Sequence, residues 1–337
     1  MSEHQANMVT EIKQAPEIVL RQSAALEAPL AELAKRLKAK PPQFAVTCAR
    51  GSSAHAAVFL KHSIERNLGL AVADAAPSIV TVYHQSLRLK DQLYLVISQS
   101  GRSDDLIEQT KSAKTAGALT VGLINDVASP LAAMCNIVLP LGAGPELSVA
   151  ATKSFVATLS TALRLTAAWA DNRALTDSLD RLPERLERAS SLDWSACFGA
   201  LKSADRMMTI GRGPTLAIAG EAALKLKETS LLHAEAFSGS EFQHGPIALI
   251  SKGYPILLFM PADAAAGALR ELETDLRRKG AAVFATSSQL PTLPNDHPET
   301  DAICLIQTFY AMAVELAKLR GADADKPRHL KKVTRTR

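Results

Sequence analysis

The sequence predicts an α/β protein made of two tandem doubly wound parallel-sheet domains, and three observations carry that prediction. Short apolar runs that end in glycine turns alternate with helical patterns of ten or more residues, the grammar of parallel strands joined by right-handed crossovers. That grammar occurs twice, because aligning Arg50-Gly51 with Arg212-Gly213 gives an offset of 162 residues. The length of 337 residues allows two domains that each bury their own core.

Taken in order, residues 44–51 form a strand and its turn, followed by an Ala-rich helical segment over 55–65. The offset pairs these with the strand and turn at 206–213 and the helical run 217–228. It also pairs the apolar strand 93–97 with 255–259. Close to the same offset, the helix 106–115 and strand 119–124 pair with the helix 269–279 and strand 282–285. Residues 171–193 are rich in charge and read as a solvated helix or linker. The first domain with its N-terminal segment is therefore expected over 1–190, and the second with the C-terminal tail over 191–337.

Composition narrows the class of function. Hydrophobic residues make up 47% and charged residues 21%, so the chain should fold throughout. No apolar run approaching the roughly 18 residues of a bilayer span is evident, and the polar start has no signal-peptide core. A cytoplasmic protein without a membrane partner is expected. The four cysteines, Cys48, Cys135, Cys197 and Cys304, lie far apart without metal-ligand spacing and read as buried reduced thiols. Six of the 38 Lys and Arg fall in the last twelve residues, which leaves a near-neutral body and no nucleic-acid face.

Open parallel sheets bind ligands beyond the carboxyl ends of their strands, where helix N-termini present free N–H groups. After the strand 93–97 comes Ser98-Gln99-Ser100-Gly101-Arg102-Ser103, whose hydroxyls and glycine at a helix start suit an anion. The same residues also suit an ordinary serine cap with a tight turn. The loop Arg50-Gly51-Ser52-Ser53 adds hydroxyls at a neighbouring strand end, so two loops converge on one phosphate. Their counterparts, Gly213-Pro214-Thr215 and Met260-Pro261-Ala262-Asp263, have lost most of those hydroxyls, so phosphate is expected in the first half alone. The second half instead carries Glu221, Lys225, Lys227 and Glu228, then His233, Glu235 and His244-Gly-Pro246. A carboxylate and an imidazole near a sugar phosphate suit aldose–ketose chemistry, in which one group moves a proton between C1 and C2 and another opens the ring. The same helix also reads as an amphipathic one with solvated charges. The basic tail around Lys331 and Lys332 reads as a disordered end, or as the source of a Schiff-base lysine.

Together these residues resemble the sugar isomerase (SIS) family, in particular the isomerase part of glucosamine-6-phosphate synthase and the SIS-type glucosamine-6-phosphate deaminases. The likeness runs from Met8–Pro16 through the loops at 49–53 and 98–103, Gly144-Pro-Glu146 and Val149-Ala-Ala-Thr152-Lys153. It continues through Gly211-Arg-Gly213, the run from Ala223 to Glu228, His233-Ala-Glu235 and His244-Gly-Pro246 to the tail lysines. The resemblance implies that Ser53, Ser98, Ser100 and Ser103 bind the sugar phosphate, and Arg50, Gly51, Ser52 and Gln99 in the same loops are expected to join them. It implies that Val149 and Ala151 line the sugar pocket, Ala151 standing where the family usually has serine. Glu228 would be the base that moves the C1–C2 proton, and His244 would assist ring opening. Lys332, five residues after the tail proline, would be the Schiff-base lysine. In the family that histidine reaches across from a second subunit, so a homodimer with a shared active site is implied. No step needs a metal or a redox cofactor.

Three departures matter. Arg50 stands where the synthases usually have cysteine, Arg102-Ser103 where they have Glu-Thr, and the chain begins directly at the isomerase part without a glutaminase domain. The expected reaction is therefore glucosamine 6-phosphate plus water to fructose 6-phosphate plus ammonia. Alternatives are another aminosugar- or fructosamine-phosphate isomerase or deglycase, and a non-catalytic sugar-phosphate sensor.

Overall fold

The computed structural model describes residues 7–332. The chain divides into two compact units, each crossing the linear order of the sequence. One comprises residues 17–146 and 153–180 with Lys331 and Lys332, and the other residues 7–16, 147–152 and 181–330.

The first-sheet unit holds five parallel strands, β1 (Ala45–Cys48), β2 (Val72–Asp74), β3 (Leu93–Ser98), β4 (Leu119–Ile124) and β5 (Ile137–Pro140). Their order is β2-β1-β3-β4-β5. Every residue of β1 and β3 is buried, as expected of central parallel strands covered on both faces, which read as unbroken apolar runs. Val46, Tyr94, Val96, Leu106, Ile124 and Leu131 pack together on one side of this sheet. The chain leaves β1 toward β2 on one side and returns to β3 on the other, so the topological switch point lies between β1 and β3.

The second-sheet unit repeats the plan with four parallel strands, β6 (Arg206–Gly211), β7 (His233–Ser238), β8 (Pro255–Leu258) and β9 (Ala282–Ala285), in the order β7-β6-β8-β9. The predicted duplication is therefore present: β1, β3 and β4 correspond to β6, β8 and β9. Among the described residues the strand β5 has no counterpart in the second sheet. Met208, Ile210, Ile256, Leu258, Leu269 and Val283 form its core.

Two sequence expectations change. The charged stretch 171–193 is not a purely solvated helix, because the helix Arg173–Ala189 buries a leucine stripe at Leu175, Leu179, Leu182 and Leu186. The helix Pro298–Leu319 is long and apolar enough to cross a bilayer by length and composition, with mean hydropathy 1.5. Yet 78% of that apolar window is buried inside the fold, where its surface finds protein rather than lipid. Cys48, Cys197 and Cys304 are buried and Cys135 is half-buried. Burial pushes the Cys48 thiol up to about 11 and those of Cys135, Cys197 and Cys304 up to about 12.

Candidate active site

Parallel pairing of β1 with β3, Cys48 opposite Val96, sets the loops 49–53 and 98–103 side by side at the switch point. Each loop opens a helix, Ser52–Leu68 and Asp104–Thr115, whose first N–H groups face the same end of the sheet. The loop hydroxyls are arranged as acceptors toward their own backbone. Gly101 N–H donates to Ser98 Oγ at 3.0 Å, and Arg102 N–H donates to Ser100 Oγ at 3.3 Å. Each hydroxyl keeps its own proton to donate, which is what an anion requires. Ser103 sits at the helix cap in extended geometry without a side-chain capping bond, so the sequence's capping alternative does not use its hydroxyl. Gly101 is strained by any side chain: its φ is +62°, and a Cβ there would lie 2.0 Å from Ser129 Oγ.

The arginines of these loops are engaged elsewhere. Arg50 forks onto Asp105 with contacts of 2.9 and 2.8 Å, and Asp105 is 1% exposed. Arg102 pairs with Asp126 at 2.9 Å. Their charges are balanced locally, yet each guanidinium keeps further N–H groups on an exposed side chain, so outer arginine N–H groups remain beside the backbone amides and serine hydroxyls as donors for a ligand.

In the second-sheet unit the helix Pro214–Ser230 leaves the carboxyl end of β6 and runs back along it. Glu228, in its last turn, therefore lies at the amino end of that sheet and not among the strand-end loops. Glu221, Lys225 and Glu228 share one face of this helix through spacings of four and three. Lys225, 1% exposed, lies 3.6 Å from Glu221 and forms a close ion pair with Glu228. Glu221 is fully buried and accepts a hydrogen bond of 3.0 Å from Tyr310 Oη. Only Glu228 opens outward, with 18% of its side chain exposed. The solvated-charge reading of this helix is thereby overturned, since burying three charges is tolerated only when they pair. His244 ends a short 3-10 turn, Glu241–His244, and is exposed.

Residues 141–152 form an irregular segment between β5 and the helix Lys153–Ala170. Within the first-sheet unit, the fully buried Glu146 carboxylate accepts from Ser154 N–H at 3.1 Å and Ser154 Oγ at 2.7 Å, and pairs with Lys332 Nζ at 3.0 Å. Within the second-sheet unit, Glu11 accepts from the amides of Leu147 and Ser148. Asp325 holds Ser148 Oγ at 3.2 Å, and its carbonyl accepts Val149 N–H at 3.3 Å. Val149 and Ala151 are half-buried and pack with the unit that contains Glu228.

Lys225, Glu221, Tyr310 and Glu146 were not singled out as site residues from the sequence. Glu221 and Lys225 could have been found from their spacing of seven and three residues before Glu228, which puts all three on one helix face. Tyr310, 89 positions from Glu221, could not.

The SIS domain matches residues 43–168 and 200–296 of the chain, covering both sheets and the loops just described. The chain belongs to the SIS domain family. An Aeropyrum pernix protein, glutamine–fructose-6-phosphate aminotransferase [isomerizing], is 35% identical to this SIS protein over 307 residues, spanning 84% of the chain and 49% of the relative. The chain thus spans about half the length of the curated relatives it matches. A solved structure from Silicibacter pomeroyi, provisionally described as a phosphosugar isomerase, superposes with a TM-score of 0.91 at 42% identity, covering 95% of this chain and all of that one. Glucosamine-6-phosphate deaminase from Thermotoga maritima shares the fold, with a TM-score of 0.77 at 22% identity over 98% of this chain and all of that one.

Proposed function

We propose that this SIS protein is a phosphosugar isomerase, and specifically that it converts glucosamine 6-phosphate and water to fructose 6-phosphate and ammonia. The observation that carries the reading is the buried line Glu221–Lys225–Glu228, which fixes one carboxylate with an open face beside the Lys225 amino group. Such a group is suited to removing a proton from C2 of an open-chain aminosugar and returning it at C1. The loops at 49–53 and 98–103 supply neutral donors and helix N-termini for the phosphate. His244 opens the ring, and the C2 imine left after proton transfer is hydrolysed by water, releasing ammonia. Val149 and Ala151 face the sugar, and the exposure of His244 suits a residue offered to the active site of a second copy in a homodimer.

The 35% identity to aminotransferases favours a second reading, in which the same proton transfer runs from fructose 6-phosphate and ammonia toward glucosamine 6-phosphate. One assay decides between them: ammonia release from glucosamine 6-phosphate, galactosamine 6-phosphate and a fructosamine 6-phosphate, beside the reverse reaction supplied with ammonium. The expected result is fructose 6-phosphate and ammonia in equal amounts from glucosamine 6-phosphate. Glu228→Gln should then lower turnover by roughly 10²–10⁴-fold while sparing substrate binding. Unchanged turnover in that variant removes Glu228 as the base, and silence on every substrate with measurable binding indicates a sensor.

A further inference from the structure

The second-sheet unit contains a cavity of about 430 Å³ at the carboxyl ends of β8 and β9. Its position is where open parallel sheets place ligands, and its volume is that of a site for a small metabolite. It is built on Met260, Pro261, Ala262 and Asp263, the counterparts of the serine loop at 98–103 whose hydroxyls the second half has lost. Glu228 lies at the other end of the same sheet, about a strand length away, roughly 20 Å for the six residues of β6. The proposed isomerase chemistry uses none of the cavity's residues.

The charges around the cavity are unequally engaged. Arg185 Nη2 donates to Asp301 at 2.7 Å and to the Pro294 carbonyl at 2.9 Å. Both members of that ion pair are 12% exposed. Asp301 also accepts from Asp296 N–H at 3.1 Å, and burial raises its carboxyl above the usual range. Asp263 accepts from Ala265 N–H at 2.9 Å, closing the start of the next helix. Both carboxylates are therefore already satisfied by protein donors. The cationic side is less fully used: the Arg185 guanidinium also meets the Cys304 thiol, but its Nε is buried without a geometric hydrogen-bond partner, and Arg270, on the exposed edge, makes no ion pair among the described residues. Between these donors Met260 and Leu305 provide an apolar floor. The Cys304 thiol in the wall is pushed up to about 12 chiefly by burial, so it is protonated at neutral pH and offers no nucleophile.

We infer that this cavity is a second binding site, for a small organic anion whose phosphate or carboxylate is held by Arg270 and Arg185 Nε–H and whose carbon body rests on Met260 and Leu305. Duplication supplied the strand-end crevice, and divergence exchanged the hydroxyl donors of the first half for guanidinium groups.

The test is calorimetric titration of the full-length protein carrying Ser98→Ala and Ser100→Ala, which weakens binding at the first-half loops. The probes are inorganic phosphate, glucose 6-phosphate, adenosine monophosphate and citrate, which separate a phosphate group from a carboxylate and a sugar body from a planar base. At least one probe is expected to bind to that background. Arg270→Ala, a change at an exposed position, should weaken it about tenfold or more, the loss of one charge-assisted hydrogen bond. Ala262→Phe, which fills the cavity from its half-exposed lip, should abolish it without lowering the melting temperature by more than a few degrees. The inference is overturned if no probe binds to the serine-deficient background. It is equally overturned if binding there survives both Arg270→Ala and Ala262→Phe unchanged.

Discussion

Lys225→Met is the most discriminating perturbation of the fold around the candidate base. Lys225 is 1% exposed and faces two carboxylates, one of them fully buried. Removing one partner of a buried ion pair leaves an uncompensated charge and costs about 3–5 kcal/mol. At roughly 2–4 °C per kcal/mol for a unit of this size, the melting temperature should fall by about 6–20 °C. Calorimetry at pH 7 reads this directly. The triple variant Glu221→Gln, Lys225→Met, Glu228→Gln should recover most of the loss, since neutral groups replace the stranded charges. A destabilisation below about 1 kcal/mol for Lys225→Met alone is what a solvated surface pair gives, and it would refute the claim that this helix face is a buried charge line.

Glu146→Gln keeps the shape that bonds Ser154 but removes the charge that holds Lys332, so Lys332 should react several-fold faster with acetic anhydride, measured by peptide mass spectrometry; an unchanged rate means the pair does not restrain the lysine. Gly101→Ala should cost about 1–3 kcal/mol in urea unfolding and abolish stabilisation by phosphate, because its φ is +62° and its Cβ would strike Ser129. With thiols pushed up to about 11 and 12, the native protein at pH 8 should resist iodoacetamide at all four cysteines, whereas urea-unfolded protein should label fully. Rapid native labelling at Cys304 would show that its helix opens.

The strand-end loops were legible because their signals are local. Glycine turns, serine clusters and buried apolar runs sit within a few residues of one another, and the offset of 162 residues showed that the pattern occurs twice. The place of Glu228 was not legible from the same logic. The eye follows the loops after strands, while this residue ends a helix that runs back to the opposite edge of the sheet. The balancing of Arg50 by Asp105 was hidden by 55 residues of separation. The packing of residues 147–152 with the second-sheet unit was hidden more deeply, because it depends on Glu11 and Asp325, which lie far away along the chain in opposite directions.

That last arrangement bears on how the protein is made. Asp325 accepts hydrogen bonds from the amides of Asn7 and Met8, 318 and 317 positions upstream, and it also fastens Ser148 and Val149. The unit it belongs to is assembled from three stretches of chain, the first two separated by the whole first sheet and the last two by residues 153–180. The first sheet can form as soon as it is synthesised, since its strands are contiguous. Residues 7–16 and the Val149 segment must instead wait, without these partners, until Asp325 has been added. Final assembly is therefore a late step with a loop-closure entropy cost, and a chain cut before Asp325 would lose the fastening of Asn7 and Met8 as well as that of Ser148 and Val149.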